Sequence, residues 1–157
     1  MMDGSRRRVI NATAPVRICD LGGWTDTWFA EYGAVFNLGV YPYAEVQLYV
    51  TRTADASAPR VVIHAENFGD RYEVRGVPPE YDKHPLLEAC LDIMDLPRDL
   101  SFEVNLYSNA PAGCSTGTSA AVSVALLGAL DMLSPGRRMT PHRSEEHTSE
   151  LQSHHDL

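Results

Sequence analysis

Hydrophobic and polar residues alternate along several segments of the chain, with the two-residue period of a β-strand that has one buried face. The clearest segment is 44–53, where Val46, Leu48 and Val50 fall on one face and polar residues fall on the other. The pattern also predicts strands over residues 8–15, 34–40, 61–65, 71–75 and 100–107. Asn-Phe-Gly-Asp separates segments 61–65 and 71–75, and this turn composition predicts a hairpin.

Two other segments have the composition of helices. Over residues 84–96, Leu87, Cys90, Leu91 and Met94 recur at helical spacing, which predicts an amphipathic helix that ends before Pro97. Residues 117–133 form a run rich in Ala and Leu, which predicts a mostly buried helix. A strand, a loop of small residues and a buried helix therefore follow one another between residues 100 and 133.

Composition places the chain among globular proteins and limits its partners. The 157 residues suit one domain, and the net charge of -8 disfavours binding to nucleic acid. Cys19, Cys90 and Cys114 form no CxxC pair, which favours reduced thiols over a disulfide framework or a zinc site. No segment has the roughly 20 apolar residues of a membrane span, and no apolar segment follows the basic residues near the start. We therefore expect a cytoplasmic protein without a membrane anchor.

The last fifteen residues differ from the rest of the sequence. They lack apolar periodicity, and residues 143–153 (RSEEHTSELQS) resemble the in-frame translation of a common sequencing-library adapter. A native acidic, disordered tail is the alternative, and His154 and His155 would then suit a metal-binding tract. We expect one domain over residues 1–142 and a non-native, disordered tail over residues 143–157.

The loop before the predicted buried helix reads P-A-G-C-S-T-G-T-S-A-A over residues 111–121. Small residues allow the backbone to approach a ligand closely, and the free N–H groups at a helix start favour a phosphate. Thr118 and Ser119 add hydroxyls that suit a helix cap, a phosphate oxygen or Mg²⁺. The sequence contains neither GxxxxGK[ST] nor GxGxxG here. An ordinary capped loop explains the composition equally well.

A second segment, residues 14–27, reads A-P-V-R-I-C-D-L-G-G-W-T-D-T. It places the cation of Arg17, the ring of Trp24 and the carboxylate of Asp26 around a Gly-Gly turn. Sugars are bound by this mixture of charged hydrogen-bonding groups and an aromatic face. A structural Arg–Asp ion pair beside a buried Trp is the alternative.

Together the two segments resemble motifs of the GHMP kinases, the superfamily of galactokinase, homoserine kinase and mevalonate kinase. The loop is similar to the glycine-rich ATP loop P-x-G-x-G-L-G-S-S-A-A. Its matching positions are Pro111, Gly113, Gly117, Ser119, Ala120 and Ala121. Ser115, Thr116 and Thr118 stand where the family has Gly, Leu and Ser. Thr118 keeps the hydroxyl, whereas Ser115 adds a side chain where the family's loop approaches the nucleotide.

The first segment resembles the first motif of galactokinases, A-P-G-R-V-N-L-I-G-E-H-T-D. The positions that match are Ala14, Pro15, Arg17, Gly22, Thr25 and Asp26. Gly23 and Trp24 replace the Glu-His pair of the galactose enzymes, which argues against galactose. The form R-I-x-x-x-G-G-W-T-D-T is similar to the branch of L-fucose kinases and D-glycero-D-manno-heptose 7-phosphate kinases.

The resemblance implies a fold, a reaction and a set of site residues. The fold is an α+β, two-layer mixed sheet with helices mainly on one face, like ribosomal protein S5 domain 2. The reaction is ATP- and Mg²⁺-dependent phosphorylation of a sugar or sugar-phosphate hydroxyl. The implied ATP-binding residues are Pro111, Ala112, Gly113, Cys114, Ser115, Thr116, Gly117, Thr118 and Ser119, with Thr118 and Ser119 toward Mg²⁺. The implied sugar-binding residues are Arg17, Gly22, Gly23, Trp24, Thr25 and Asp26, with Arg17 also acting in catalysis.

In this superfamily the Asp proposed as base follows the glycine-rich loop, and a full member is roughly twice this length. We therefore expect the chain to be an N-terminal fragment that has little kinase activity alone. Two other functions stay open: a kinase with a mevalonate- or homoserine-type acceptor, and a non-catalytic binding module on the same fold. The sequence does not predict an oligomeric state.

Overall fold

The computed structural model describes residues 7–22, 32–53, 59–76, 79–110 and 117–134. The strands are β1 (Arg8–Leu21), β2 (Phe36–Arg52), β3 (Val61–Ala65), β4 (Asp70–Glu73) and β5 (Leu100–Ser108). The helices are α1 (Pro85–Asp92) and α2 (Thr118–Asp131), and a 3₁₀ turn covers Glu66–Phe68. Among the described residues, no helix is long and apolar enough to cross a membrane.

The strands form one mixed sheet in the order β1-β2-β5-β3-β4. β5 pairs antiparallel with β2 and parallel with β3, while β1–β2 and β3–β4 are antiparallel pairs. One row of paired residues crosses four strands and is buried: Ile10, Leu48, Val104 and Ile63. α2 packs against β1, β2 and β5, and α1 packs against α2. This arrangement confirms the predicted α+β fold with a mixed sheet.

α2 confirms the predicted buried helix. Its buried residues face more than one direction, and they include Leu126, Leu127 and Leu130, each 0% exposed. A helix that is apolar around most of its circumference must be covered on several sides. The sheet and α1 provide this cover, so the start of α2 has a fixed position above β1 and β2.

The second and third predicted strands, 34–40 and 44–53, form one strand, so the predicted break between them is wrong. β1 pairs with both parts of β2, and the register shifts between Pro15 (opposite Tyr43) and Val16 (opposite Val40). The two residues between Val40 and Tyr43 are accommodated as an irregularity of the kind that interrupts pairing without ending a strand. β1 likewise continues beyond Pro15 to Leu21, because a proline is tolerated in an edge strand and at such an irregularity.

α1 is shorter than the predicted helix 84–96, since it ends at Asp92. Its start is fixed by the buried carboxylate of Glu88, which accepts N–H bonds from Asp82 at 2.8 Å, Lys83 at 3.2 Å and His84 at 3.1 Å. These bonds supply acceptors for the N–H groups of the segment that leads into the helix. His84 is the N-cap and Pro85 is the first helical residue, a position that favours proline.

Cys90 of α1 gives the chain a predicted sensitivity to alkaline pH. Burial raises the pKa of its thiol from an ordinary 9.0 to about 12, although a hydrogen bond with Ser123 lowers it in part. The folded state disfavours the thiolate. The contribution of the protonated thiol to the free energy of unfolding is therefore complete below pH 9.0, and it is lost as the pH rises toward the pKa of the thiol in the folded chain. Above pH 9.0, the free energy of unfolding of the wild-type chain should therefore fall by about 1.4 kcal/mol per pH unit relative to that of a Cys90→Ala variant.

Urea unfolding of both chains between pH 7 and pH 10.5 tests this expectation. The difference between the two unfolding free energies should be constant at the lower pH values and change only above roughly pH 9. Parallel curves over the whole range would show that Cys90 does not remain a protonated thiol in the folded chain.

Candidate functional site

One described residue from each predicted motif lies at the N-terminus of α2, although the motifs are far apart in the sequence. A Cβ atom built on Gly117 would lie 2.9 Å from Nε of Arg17 and 3.2 Å from its Cγ. The side chain of Arg17 therefore passes directly over Gly117, in the space that any larger residue would fill. One residue of the predicted sugar segment is thus in contact with one residue of the predicted ATP loop.

The length of β1 brings Arg17 to this position. Arg17 lies in the part of β1 that continues past Pro15, where it pairs with Gly39 of β2. A Cβ on Gly39 would lie 3.0 Å from Cγ of Pro15, so a small residue is also favoured beside the register shift. Since α2 packs against both strands, its first turn lies next to this end of β1.

Gly117 gives the start of α2 an open and electropositive form. It is the N-cap residue, with a left-handed backbone at φ 64° and ψ 30°, and no side chain caps the helix. Its carbonyl accepts the first helical bond, from the N–H of Ala121 at 2.9 Å. The first N–H groups of a helix have no acceptor inside it, and they carry the positive end of the helix dipole. A guanidinium beside this end favours an anion between the two.

The structure places Thr118 and Ser119 in the first turn of α2, as the sequence predicts. Thr118 is half-buried and Ser119 is exposed. The Ser119 carbonyl accepts a 3.0 Å bond from Oγ of Ser123, which is buried. Ser119 is thus held through its backbone carbonyl, while its side chain is exposed. Arg17 is also exposed, so its charge is accessible to a ligand.

Gly22 fixes the chain where it leaves β1. Its φ of 77° lies in the left-handed region, and a Cβ on it would lie only 1.9 Å from the carbonyl oxygen of Ala34. No side chain fits in this contact. Gly22 and Ala34 are therefore in close contact directly beyond the strand that carries Arg17.

The other predicted site residues lie outside the described residues. In the sugar segment these are Gly23, Trp24, Thr25 and Asp26, and in the ATP loop they are Pro111, Ala112, Gly113, Cys114, Ser115 and Thr116. The structure therefore describes the residues on both sides of each segment. It brings together Arg17 and Gly117, with Thr118 and Ser119 in the adjoining turn.

The sequence did not single out Asn67, a residue bonded to the strand that precedes the predicted ATP loop. Its side-chain amide bonds to the backbone of Ser108, at the end of β5 that leads into the predicted ATP loop. The only signal in the sequence is an Asn in a turn after a strand. Turns are so often rich in Asn that this signal does not single out Asn67.

Comparison with solved structures identifies the fold. A D-glycero-D-manno-heptose 1-phosphate kinase from Bacteroides thetaiotaomicron matches 92% of the chain, with a TM-score of 0.72 and 22% sequence identity. A putative sugar kinase from Campylobacter jejuni matches 95% of it, with a TM-score of 0.70 and 20% identity. The Lactococcus lactis galactokinase complexed with galactose matches 93%, with a TM-score of 0.70 and 16% identity. The chain shares the fold of GHMP-family kinases.

The match covers only part of these enzymes. The chain spans 47%, 46% and 38% of the three solved structures, which is about half their length or less. No protein-family model and no curated protein matches the sequence. The comparisons therefore establish the fold of the chain and not its activity.

Proposed function

We propose that this chain provides the phosphate-binding and sugar-binding residues of an ATP-dependent kinase that phosphorylates a hydroxyl of a sugar or sugar phosphate. The contact between Arg17 and Gly117 carries this proposal, since it joins the two predicted motifs at a helix N-terminus. The likeness to solved sugar kinases supports it. Fucose-like sugars and heptose 7-phosphate are the acceptors that the sequence motif favours.

The triphosphate site is built from backbone donors and one cation. In the proposal, the N–H groups of Gly117 and Ser119 donate to phosphate oxygens, as donors at helix N-termini do in other anion sites. Gly117 lacks a side chain, which leaves room for both Arg17 and a ligand close to the backbone. The preceding residues 111–116 extend this cradle in the proposal.

The hydroxyls of Thr118 and Ser119 suit Mg²⁺, because it binds hard oxygen ligands and phosphates together. When bound, the ion neutralises charge on the phosphate oxygens. The residues present therefore fit the metal that the fold family implies.

Arg17 is proposed to act on the transferred group. Phosphoryl transfer depends mainly on positioning and on stabilising charge at the phosphoryl oxygens. In the proposal, the guanidinium lies between the ATP side and the sugar side of the site, which is supported by its contact with Gly117 and by the position of Trp24 and Asp26 in the segment that follows its strand. In the proposal, Asp26 accepts hydrogen bonds from sugar hydroxyls and the ring of Trp24 contacts the sugar face.

Ligand binding tests this function without requiring turnover. The only two tryptophans of the chain, Trp24 and Trp28, both lie in segment 23–31, so intrinsic fluorescence reports on the proposed sugar side. Addition of L-fucose or heptose 7-phosphate should change this fluorescence in a saturable way, more tightly when Mg²⁺ and the non-hydrolysable ATP analogue AMP-PNP are present. Galactose serves as the control and should bind more weakly.

Two results would contradict the proposed acceptor. A saturable response to mevalonate or homoserine, with none to any sugar, would assign the acceptor to the alternative kinase class. No response to any acceptor, with no binding of Mg²⁺·AMP-PNP, would favour a non-catalytic module.

A further inference from the structure

Asn67 links the turn after β3 to the end of β5. Nδ2 of Asn67 donates to the carbonyl of Ser108 at 2.6 Å, and the N–H of Ser108 donates to Oδ1 of Asn67 at 2.7 Å. One side-chain amide thus satisfies both backbone groups of one residue. A neighbouring strand normally supplies such a pair of bonds from its peptide groups.

The end of β3 explains why a side chain, and not a strand, bonds to the backbone of Ser108. β3 pairs with β5 up to Ala65 opposite Leu106, and the chain then turns into the 3₁₀ segment Glu66–Phe68. β3 itself therefore supplies no strand partner for Ser108. The other side of Ser108 is occupied by Ala44 of β2, its register partner. Asn67 therefore extends the bonding of β5 by two residues, from Leu106 to Ser108, beyond the end of β3.

The bonds fix the last residues before the predicted ATP loop. Ser108 is 2% exposed, and its Oγ accepts the N–H of Ala110 at 3.2 Å. Ala110 is also buried, at 4% exposure. Asn67 thus holds Ser108, and Ser108 in turn holds the residue directly before Pro111. At the other end of the loop, Gly117 is held at the start of α2 beside Arg17.

We propose that Asn67 is a positioning residue of the nucleotide site, which sets where the chain leaves β5 and enters the glycine-rich loop. This role rests on the proposed function, because it assumes that the loop binds phosphate. Backbone donors bind an anion well only when their positions are fixed in advance. Loss of the anchor should therefore weaken nucleotide binding even though Asn67 itself is not assigned a contact with the ligand.

The test compares three chains by calorimetric titration with Mg²⁺·AMP-PNP. Asn67→Ala removes both bonds and should weaken binding about tenfold, the factor that corresponds to ~1.4 kcal/mol. Asn11→Ala is the control, since Asn11 accepts an amide bond from Gln47 at 3.0 Å on β1 and β2, away from the loop. The control should bind as the wild type does.

Hydrogen exchange separates positioning from a general loss of stability. The amide of Ser108 should exchange faster in Asn67→Ala, while amides of the buried row of the sheet keep their wild-type rates. Asn67→Asp provides a second variant if the Ala variant does not fold, because a carboxylate still accepts the N–H of Ser108 but no longer donates to its carbonyl. It should retain protection at Ser108 and also bind the analogue more weakly than the wild type.

The outcomes distinguish this role from the proposed function. A wild-type chain that does not bind Mg²⁺·AMP-PNP would overturn the proposed function and the role of Asn67 with it. Wild-type binding together with unchanged affinity in both Asn67 variants would overturn the positioning role alone. Weaker binding in the Asn67 variants, with local exchange confined to the end of β5, is the result that we expect.

Discussion

Replacement of Gly22 by Ala is expected to lower the free energy of unfolding by roughly 2–5 kcal/mol. Two costs combine at this position. The backbone has a φ of 77°, where an L-residue is strained, and the new Cβ would lie 1.9 Å from the carbonyl oxygen of Ala34. Backbone must move to relieve this contact, because the carbonyl oxygen is not the end of a flexible side chain. Urea or thermal unfolding of the variant measures the loss.

Gly69 provides a matched control for the effect of Gly22. Its φ of 64° is also left-handed, but a Cβ there would have no atom within 4 Å. Gly69→Ala should therefore show only the backbone cost, about 1–2 kcal/mol. Equal losses in the two variants would show that the close approach of Gly22 to Ala34 does not exist in solution.

Replacement of Arg17 by Ala is expected to weaken binding of Mg²⁺·AMP-PNP roughly 10- to 100-fold, which corresponds to the loss of a charge-assisted hydrogen bond. The physical reason is the position of the guanidinium beside Gly117, where it adds to the positive end of α2. Arg17 is exposed, so its removal should change the unfolding free energy far less than the ligand affinity. Calorimetric titration together with thermal unfolding measures both quantities.

Arg8→Ala is the control for net charge, since Arg8 is an exposed cation on the same strand, near its other end. It should leave the affinity within about twofold of the wild type, because long-range effects of exposed charges are screened by salt. Arg17→Lys keeps the charge but loses the planar donor pair, and should give an intermediate affinity. If Arg8→Ala and Arg17→Ala weakened binding equally, net charge rather than the site would explain the effect of Arg17.

The sequence predicted those strands and helices in which the pattern of hydrophobic residues matches the pattern of burial in the fold. The β3–β4 hairpin, β5 and α2 lie close to their predicted positions, because alternation and composition directly reflect burial there. The end of α1 was predicted four residues too late, at residue 96 instead of Asp92. Met94 is buried as the predicted helical face requires, but it lies beyond the end of α1, so burial does not prove that a residue is helical.

β2 shows a different limit of sequence patterns. Pro42 and its tyrosine neighbours break the alternation, which predicts two strands, whereas long-range pairing with β1 joins them. Pairing across the sheet determines such a strand, and no local window of residues contains this information.

The resemblance implied that the two segments act in one reaction, but the sequence did not predict which of their residues are in contact. The identities of Arg17 and Gly117 were available from motif resemblance, but their contact depends on β1 continuing past Pro15 and on α2 packing over it. The anchoring of Ser108 by Asn67 depends on the parallel pairing of β3 with β5, which local periodicity does not reveal. Contacts between distant residues thus account for what sequence reasoning missed.

The backbone amide signals of Gly117, Thr118 and Ser119 in ¹H–¹⁵N NMR spectra test the central claim most directly, during titration with Mg²⁺·AMP-PNP. We predict saturable shifts at these amides and at Nε–H of Arg17, and expect the largest at Gly117, Ser119 and Arg17, because phosphate oxygens accept hydrogen bonds from these three residues in the proposal. Saturable binding that shifts signals elsewhere and leaves these four unchanged would contradict it.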